Sequence, residues 1–381
     1  MHIDQLTLKN FRNFESVYIP LNSKMNIVIG NNGSGKSSLL MGALTAASAF
    51  FLGIDYASPR SIKTDDVRHV AHEVKKVYQQ VAVYPVEVSC EGVVNGVTCK
   101  WSRSLSGPKS NTTYGGAFDL RNIASSLQKS TSSEYSEDVL PLIAYYGTGR
   151  LWAQKQAKKK GKQKLRSRFE GYRDCIAEQA TDKQLLEWFS ETTLLVSQEG
   201  PIPQMTAVQQ ALERCFADLI DHDETQRVKV EYRQRYRTVV VEYTNRSGEH
   251  ELHPMYEMSD GYRSVLSMVA DIAHRMAVLN PQLDDAILET PGIIIIDEVE
   301  LHLHPGWRKR ILKDLTSVFP NIQFIVSTYS PEVITSYKEA NLILLKHEGS
   351  ATQIESAYGK DVNTVFRSIL LVRDRPTEIE E

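Results

Sequence analysis

The sequence predicts an α/β protein whose parallel sheet carries a phosphate-binding loop, and three stretches support this. The first is the apolar run Met25 to Ile29, followed by Gly30-Asn31-Asn32-Gly33-Ser34-Gly35-Lys36-Ser37 and then by Leu39, Leu40, Ala43, Ala46, Ala47 and Phe50. That order reads as strand, glycine loop, helix. The second is Gly292 to Ile296, fully apolar and ending at Asp297-Glu298. It has the look of a buried parallel strand whose carboxylates emerge at its C-terminal edge. The third is Ile322 to Val326, another buried strand, ending at Ser327-Thr328-Tyr329-Ser330. Strands alternating with helices, the glycine loop first, put the ligand at the strand carboxyl ends.

The chemistry explains the residue types of the glycine loop. Glycines let the backbone from Asn31 to Ser38 curl with its N–H groups inward, and the helix N-terminus adds partial positive charge. Lys36 would reach the β- and γ-phosphates of a nucleotide, and Ser37 would ligate Mg²⁺. Asp297 would hold the same Mg²⁺, and Glu298 would orient and deprotonate the attacking water. A chance glycine turn is the competing reading, and the strand and helix on either side argue against it.

A chain of 381 residues can bury a sizeable core as one large domain with an insertion, or as two domains. With 44 basic against 47 acidic residues there is no global basic field, so any nucleic-acid contact must come from local patches. Cys90, Cys99, Cys175 and Cys215 form no CxxC pair, which disfavours a zinc site or a disulfide framework. Cys90 and Cys99 are candidates to face one another across a hairpin, although reduced thiols are the simpler expectation. The N-terminus is polar, without a secretory pattern, and no apolar run approaches membrane-spanning length, so a soluble cytoplasmic protein is expected.

Residues 3 to 8 alternate as a strand, and Val17-Tyr18-Ile19 should pair back on it. The helix after the glycine loop should run to about Leu52. Beyond Gly53, runs such as Val81 to Ser89 and Val97 to Arg103 flank the hairpin turn Asn95-Gly96. The Ser- and Thr-rich tract from Ser102 to Ser136 reads as mobile loops. Leu140 to Tyr146 is a strand followed by a basic run, Lys155 to Arg168, that is either a solvated loop or a surface for nucleic-acid phosphates. Helical stripes resume from Lys183 and from Thr206, and Asp221 to Glu224 reads as an acidic turn rather than a metal site. From Val228 to Tyr243 alternation returns, with Arg233, Arg235 and Arg237 on one face that is solvated or phosphate-facing. Ser259 or Asp260 suits the N-cap of a long amphipathic helix. Leu342 to Leu345 is the final core strand. The expected organisation is residues 1–52, an N-terminal core part; 53–136, a β-rich lobe; 137–258, a core strand with a helical and β insertion; 259–358, the C-terminal core part; and 359–381, a tail.

Four motifs in this order, Gly30 to Ser37, Ser259-Asp260-Gly261-Tyr262-Arg263-Ser264, Ile293 to Glu298 with Leu301-His302-Leu303-His304-Pro305, and Ser327 to Pro331, give a family resemblance. Together they resemble the ABC-type ATPases of the RecF, SMC and OLD lineage, and within it the PtuA-like ATPases of Septu and retron antiphage defence systems. The resemblance implies a P-loop NTPase of ABC ATPase type, with the β-rich lobe and a helical subdomain as additions. It implies that Ser259 and Gly261 belong to a signature that contacts the γ-phosphate bound to a second subunit, which suits a helix N-terminus bearing a hydroxyl. It implies that Arg12 approaches the phosphates, that Glu300 to His304 form the D-loop, and that Tyr329 stands where relatives have a switch histidine. His302 and His304 are therefore discounted as zinc ligands.

Three departures matter. Tyr329 can donate one hydrogen bond but carries no positive charge near neutral pH, so slow hydrolysis and a long-lived ATP state are expected. No glutamine is placed for a Q-loop, where Asp65 or Asp66 would stand instead. Many relatives continue past the position of Arg375-Pro376. No heptad repeat indicates SMC arms, and no nuclease cluster is visible. The resulting expectation is an ATPase that forms a homodimer or larger even-numbered oligomer and regulates a separately encoded effector, a nuclease in the first instance. DNA contact through local patches is a further expectation, and membrane contact is not. The alternatives are a RecF-like DNA-stimulated repair ATPase and an ATP-locked scaffold with little hydrolysis.

Overall fold

The structure is a computed structural model that describes residues 1–74, 77–131, 136–149, 167–177, 182–217, 228–346, 349–361 and 363–365. The N-terminal strands β1 (His2–Phe11) and β2 (Phe14–Pro20) pair antiparallel, burying Leu6, Leu8, Val17 and Ile19 on one face. β3 (Met25–Ile29) leads through the glycine loop into α1 (Lys36–Ala47), which continues as 3₁₀ turns to Gly53. Every residue of α1 except Ser37 is buried. The helix lies between two sheets, contacting β1 on one side and the strands of the parallel sheet on the other, so it needs no polar face. Lys36–Gly53 is long and apolar enough to span a membrane, but 89% of that stretch is packed inside the core.

The lobe begins with the hairpin β4 (His69–Val74) and β5 (Val77–Ala82), then β6 (Val86–Val94) and β7 (Val97–Leu105) around Asn95-Gly96. The run expected from Val81 to Ser89 is broken before Val86, because Pro85 has no N–H for a ladder. β6 pairs with β1, giving a four-stranded antiparallel sheet in the order β2-β1-β6-β7. The lobe is therefore built onto the N-terminal strands rather than standing apart from them. Register sets Cys90 opposite Trp101 and Cys99 opposite Gly92, so the two thiols do not face one another, and all four cysteines are free. Part of the tract read as mobile loops is instead α2 (Phe118–Thr131). Its buried positions Leu120, Ala124, Leu127 and Thr131 keep helical spacing that surrounding serines and polar residues obscure.

β8 (Leu142–Tyr146) is followed by the helices α3 (Asp182–Glu199) and α4 (Pro203–Ala217). Residues 150–166, which hold most of the basic run, and the Asp221–Glu224 turn lie outside the described residues, as does the tail from 366. Arg168, counted in that run, is not a surface contact. It donates to the carbonyls of Leu279 and Asp138 and to Asn280 Oδ1, clamping the far end of the next long helix. β9 (Lys229–Arg233), β10 (Thr238–Thr244) and β11 (His250–Pro254) form a small antiparallel sheet. The chain turns between β9 and β10, so Arg233, Arg235 and Arg237 do not share a strand face; Arg233 ion-pairs with Glu231 and Glu242.

α5 (Asp260–Leu279) precedes β12 (Gly292–Ile296), whose five residues are all buried. Then come α6 (Pro305–Arg308), α7 (Ile311–Val318), β13 (Ile322–Ser327), α8 (Pro331–Ile334), β14 (Asn341–Leu345) and β15 (Ala351–Ile354). The second sheet runs β15-β14-β3-β13-β12-β8, parallel except at β15. β13 thus separates the glycine-loop strand from the strand ending in paired carboxylates. Register puts Val326 beside Ile296 and Ser327 beside Val28, so three loops leave the same edge of the sheet.

Candidate functional site

Gly35 starts α1 at φ 99°, with Phe14 3.1 Å from where a Cβ would sit, so glycine suits this turn both sterically and conformationally. Asn13 fastens the β1–β2 turn to the loop: its Nδ2 donates to Gly33 O, and its Oδ1 accepts from Ser38 Oγ at 3.0 Å. Asn32, Gly33 and Ser37 are exposed, Asn31 is half-buried, and Ser34 is buried with no hydrogen-bond partner for its Oγ among the described residues. Lys36 is only 5% exposed. Its Nζ donates to the carbonyls of Gly30 (2.8 Å) and Asn31 (3.2 Å) and lies 3.2 Å from the centroid of the Tyr329 ring. Burial lowers the Lys36 ammonium to about 8, against the opposing pull of Asp297, Glu298 and Glu300. Burial raises the Tyr329 phenol, and Glu298, Asp297 and Glu300 push it further the same way. Tyr329 is therefore neutral wherever the protein functions near neutral pH.

Asp297 is buried beyond the end of β12, its N–H bonded to Tyr146 O at 2.9 Å. Glu298 follows at φ 49°, a left-handed conformation unusual for a glutamate. Ser327 holds both: its Oγ donates to Asp297 Oδ1 at 2.5 Å and accepts from Glu298 N at 2.8 Å. Glu300 Oε1 accepts the Tyr329 N–H at 2.6 Å, and its buried Oε2 has no hydrogen-bond partner among the described residues. Hydroxyl and carboxylate oxygens such as those of Ser37 and Asp297 are hard donors, the type Mg²⁺ takes.

Arg12 sits on the turn anchored by Asn13. Its Nε pairs with Asp66 Oδ1 at 2.8 Å, and Arg60 pairs with the same oxygen at 2.8 Å. Asp66 is fully buried between the two arginines, so of the two acids expected at the Q-loop position it is committed to this ion pair, while Asp65 is exposed. Ser259 is the N-cap of α5, exposed, with no side-chain capping bond. A Cβ on Gly261 would come 2.5 Å from His302 O, so the helix start can lie on the D-loop backbone only as glycine. Tyr262 adds an edge-on contact with Trp307, ring centroids 3.8 Å apart. His304 caps α6, Nδ1 accepting from Gly306 N.

Asn13 and Arg60 escaped the sequence reading of the site, and Ser327 entered it only as the first residue of the Ser327 to Pro331 motif, with no role of its own.

A parallel sheet with a buried lysine in a glycine loop and paired carboxylates two strands away defines a P-loop ATPase of ABC type. Residues 5–220 match the family described as an AAA domain. The Retron Ec83 probable ATPase of Escherichia coli is 25% identical over 99% of this chain and 78% of its own length. The Septu protein PtuA of Bacillus mycoides is 31% identical over 37% of this chain and 18% of its own. In fold alone, the SMC head from a complex with the C-terminal winged-helix domain of ScpA matches with a TM-score of 0.51. It is 15% identical and covers 93% of this chain and 98% of that one. The chain belongs to the AAA-domain family and is an ABC-type ATPase of the RecF and SMC lineage, similar to the retron and Septu ATPases.

Proposed function

We propose that this chain binds MgATP and hydrolyses it slowly. Bound nucleotide joins two copies in the cytoplasm, and they control a separately encoded effector, by preference a nuclease, in defence against phage. The observation that carries the reading is the convergence of Lys36, Asp297, Glu298 and Tyr329. Lys36 and the Asn31–Ser38 backbone would bind the phosphates, with Arg12 on the turn beside them. Mg²⁺ held by Ser37 and Asp297 would neutralise charge on the phosphate oxygens. Glu298 would take the proton of the attacking water. The exposed Ser259 hydroxyl, unused by its own helix, supports a contact across to a partner's nucleotide, with Gly261 allowing the helix to sit there. The defence role rests on the retron and Septu relatives. Slow turnover rests on Tyr329, a neutral phenol where a histidine is expected.

The test measures turnover and, by light scattering, mass with and without ATP, for the natural protein and Glu298→Gln. Glu298→Gln should cut turnover by about 100-fold or more while stabilising an ATP-dependent dimer. Mass indifferent to both nucleotide and this change would overturn the shared-site reading. Ordinary ABC turnover left unchanged by Tyr329→His would overturn the slow-hydrolysis part. Turnover stimulated by DNA with steep salt dependence would point instead to a RecF-like repair ATPase. Stable ATP-bound oligomers without turnover would point to a scaffold.

A further inference from the structure

Ser327 is fully buried at the end of β13, between the phosphate-loop strand β3 and the carboxylate strand β12. A buried hydroxyl has one proton to give and lone pairs to receive, and leaving them unmatched is unfavourable. Ser327 directs both at the turn after β12. Its Oγ donates to Asp297 Oδ1 at 2.5 Å and accepts the Glu298 N–H at 2.8 Å. Its carbonyl accepts the Val299 N–H at 3.0 Å. One residue thus holds three consecutive neighbours. The middle one, Glu298, has φ 49°, a conformation that crowds a side chain against its own backbone and persists where the surroundings fix it.

We propose that Ser327 is a positioning residue for the two carboxylates. Its hydroxyl fixes the rotation of the Asp297 carboxylate toward the divalent cation and keeps the Glu298 backbone in the turn that aims its side chain. This rests on the reading of the chain as an ATP hydrolase. A fixed hydroxyl donating to one Asp297 oxygen favours a single orientation of the carboxylate, and losing that donor weakens the preference. A Glu298 N–H without its acceptor would find the left-handed turn less favourable and draw the side chain away. Both effects act on the cation and on the chemical step, and the hydrogen bonds of Lys36 to Gly30 O and Asn31 O are separate from them.

The experiment compares the natural protein with Ser327→Ala and Ser327→Thr, measuring kcat and KM for MgATP. It also measures Mn²⁺ affinity by electron paramagnetic resonance in the presence of a non-hydrolysable ATP analogue. Ser327→Ala should lower kcat by about 100-fold with KM within about threefold. It should weaken Mn²⁺ binding by about tenfold or more, as loss of a group orienting a metal ligand does. Ser327→Thr, which keeps the hydroxyl, should recover most of both. A folded Ser327→Ala protein with unchanged Mn²⁺ affinity, or a threonine variant no better than alanine, would overturn the proposal. If the natural protein shows no turnover, the hydrolase reading fails while the Mn²⁺ comparison still decides the role of Ser327. Should Ser327→Ala not fold, Ser327→Cys replaces it: intermediate Mn²⁺ affinity supports the proposal and natural affinity overturns it.

Discussion

Replacing Tyr329 with alanine should make the protein bind ADP more tightly. The Lys36 ammonium lies 3.2 Å from the centre of the Tyr329 ring, and Lys36 is 5% exposed. Such a contact contributes about 0.5–1 kcal/mol in water and about 2 kcal/mol when desolvated, and the burial of Lys36 puts this one toward the upper end. Where phosphates compete with the ring for the Lys36 ammonium, the contact given up is subtracted from the binding free energy. Losing about 1–2 kcal/mol of it corresponds to binding about five- to thirtyfold tighter. The bonds from Lys36 to Gly30 O and Asn31 O are unaffected by the substitution. ADP is the better probe because it lacks the γ-phosphate that the phenol could itself bond. Isothermal titration calorimetry would measure the change, with Tyr329→Phe, which keeps an aromatic face, staying within about threefold of the natural protein. An alanine variant that binds ADP no more tightly, or a phenylalanine variant that matches alanine, would refute the reasoning.

Lys36 also predicts a pH dependence. Its folded value of about 8 lies below the ordinary 10.5, and bound phosphates would raise it again. ADP affinity should be flat below pH 7 and fall by up to about tenfold per unit above pH 8, a slope that Lys36→Arg should abolish. For stability the sign runs the other way: the unfolded chain binds more protons between pH 8 and 10.5, so the contribution of Lys36 to stability rises across that window. Asp66→Ala would strip the shared carboxylate from Arg12 and Arg60 and should cost about 3–5 kcal/mol in chemical denaturation, and a loss under about 1 kcal/mol would contradict the buried-pair account. Burial pushes the Asp66 carboxyl up, but Arg60, the Lys63 N–H and Arg12 more than offset it, so it lies below its ordinary value. That stabilisation is present above the unfolded value and lost as pH falls through the folded one, so Asp66→Asn should unfold at a higher pH during acid titration than the natural protein.

The parallel sheet was legible because its central strands are buried on both faces and read as mostly apolar runs, β12 without exception and β3 and β13 with one buried amide each, Asn26 and Gln323, ending at the candidate site residues. Gly261 was legible only through family resemblance; the physical reason, a carbonyl 2.5 Å from its absent side chain, needs the fold. α2 was hidden because only four of its residues, Leu120, Ala124, Leu127 and Thr131, face the core, and the others look like loop. The three arginines of 233–237 misled because alternation continues through the turn between β9 and β10. The ion pairs of Asp66 were not legible because its partners Arg12 and Arg60 are distant in sequence or separated by a bend, and no spacing rule pairs them.

The close approach of Gly261 to His302 makes the start of α5 and the D-loop a single stiff rim. The same D-loop carries Glu300, which grips the backbone of Tyr329, whose ring covers Lys36. Pressure on Ser259 from the proposed partner would therefore reach the lysine of the same copy through a handful of short contacts. In the proposed pair, nucleotide in one copy would thus be coupled to the lysine of the other.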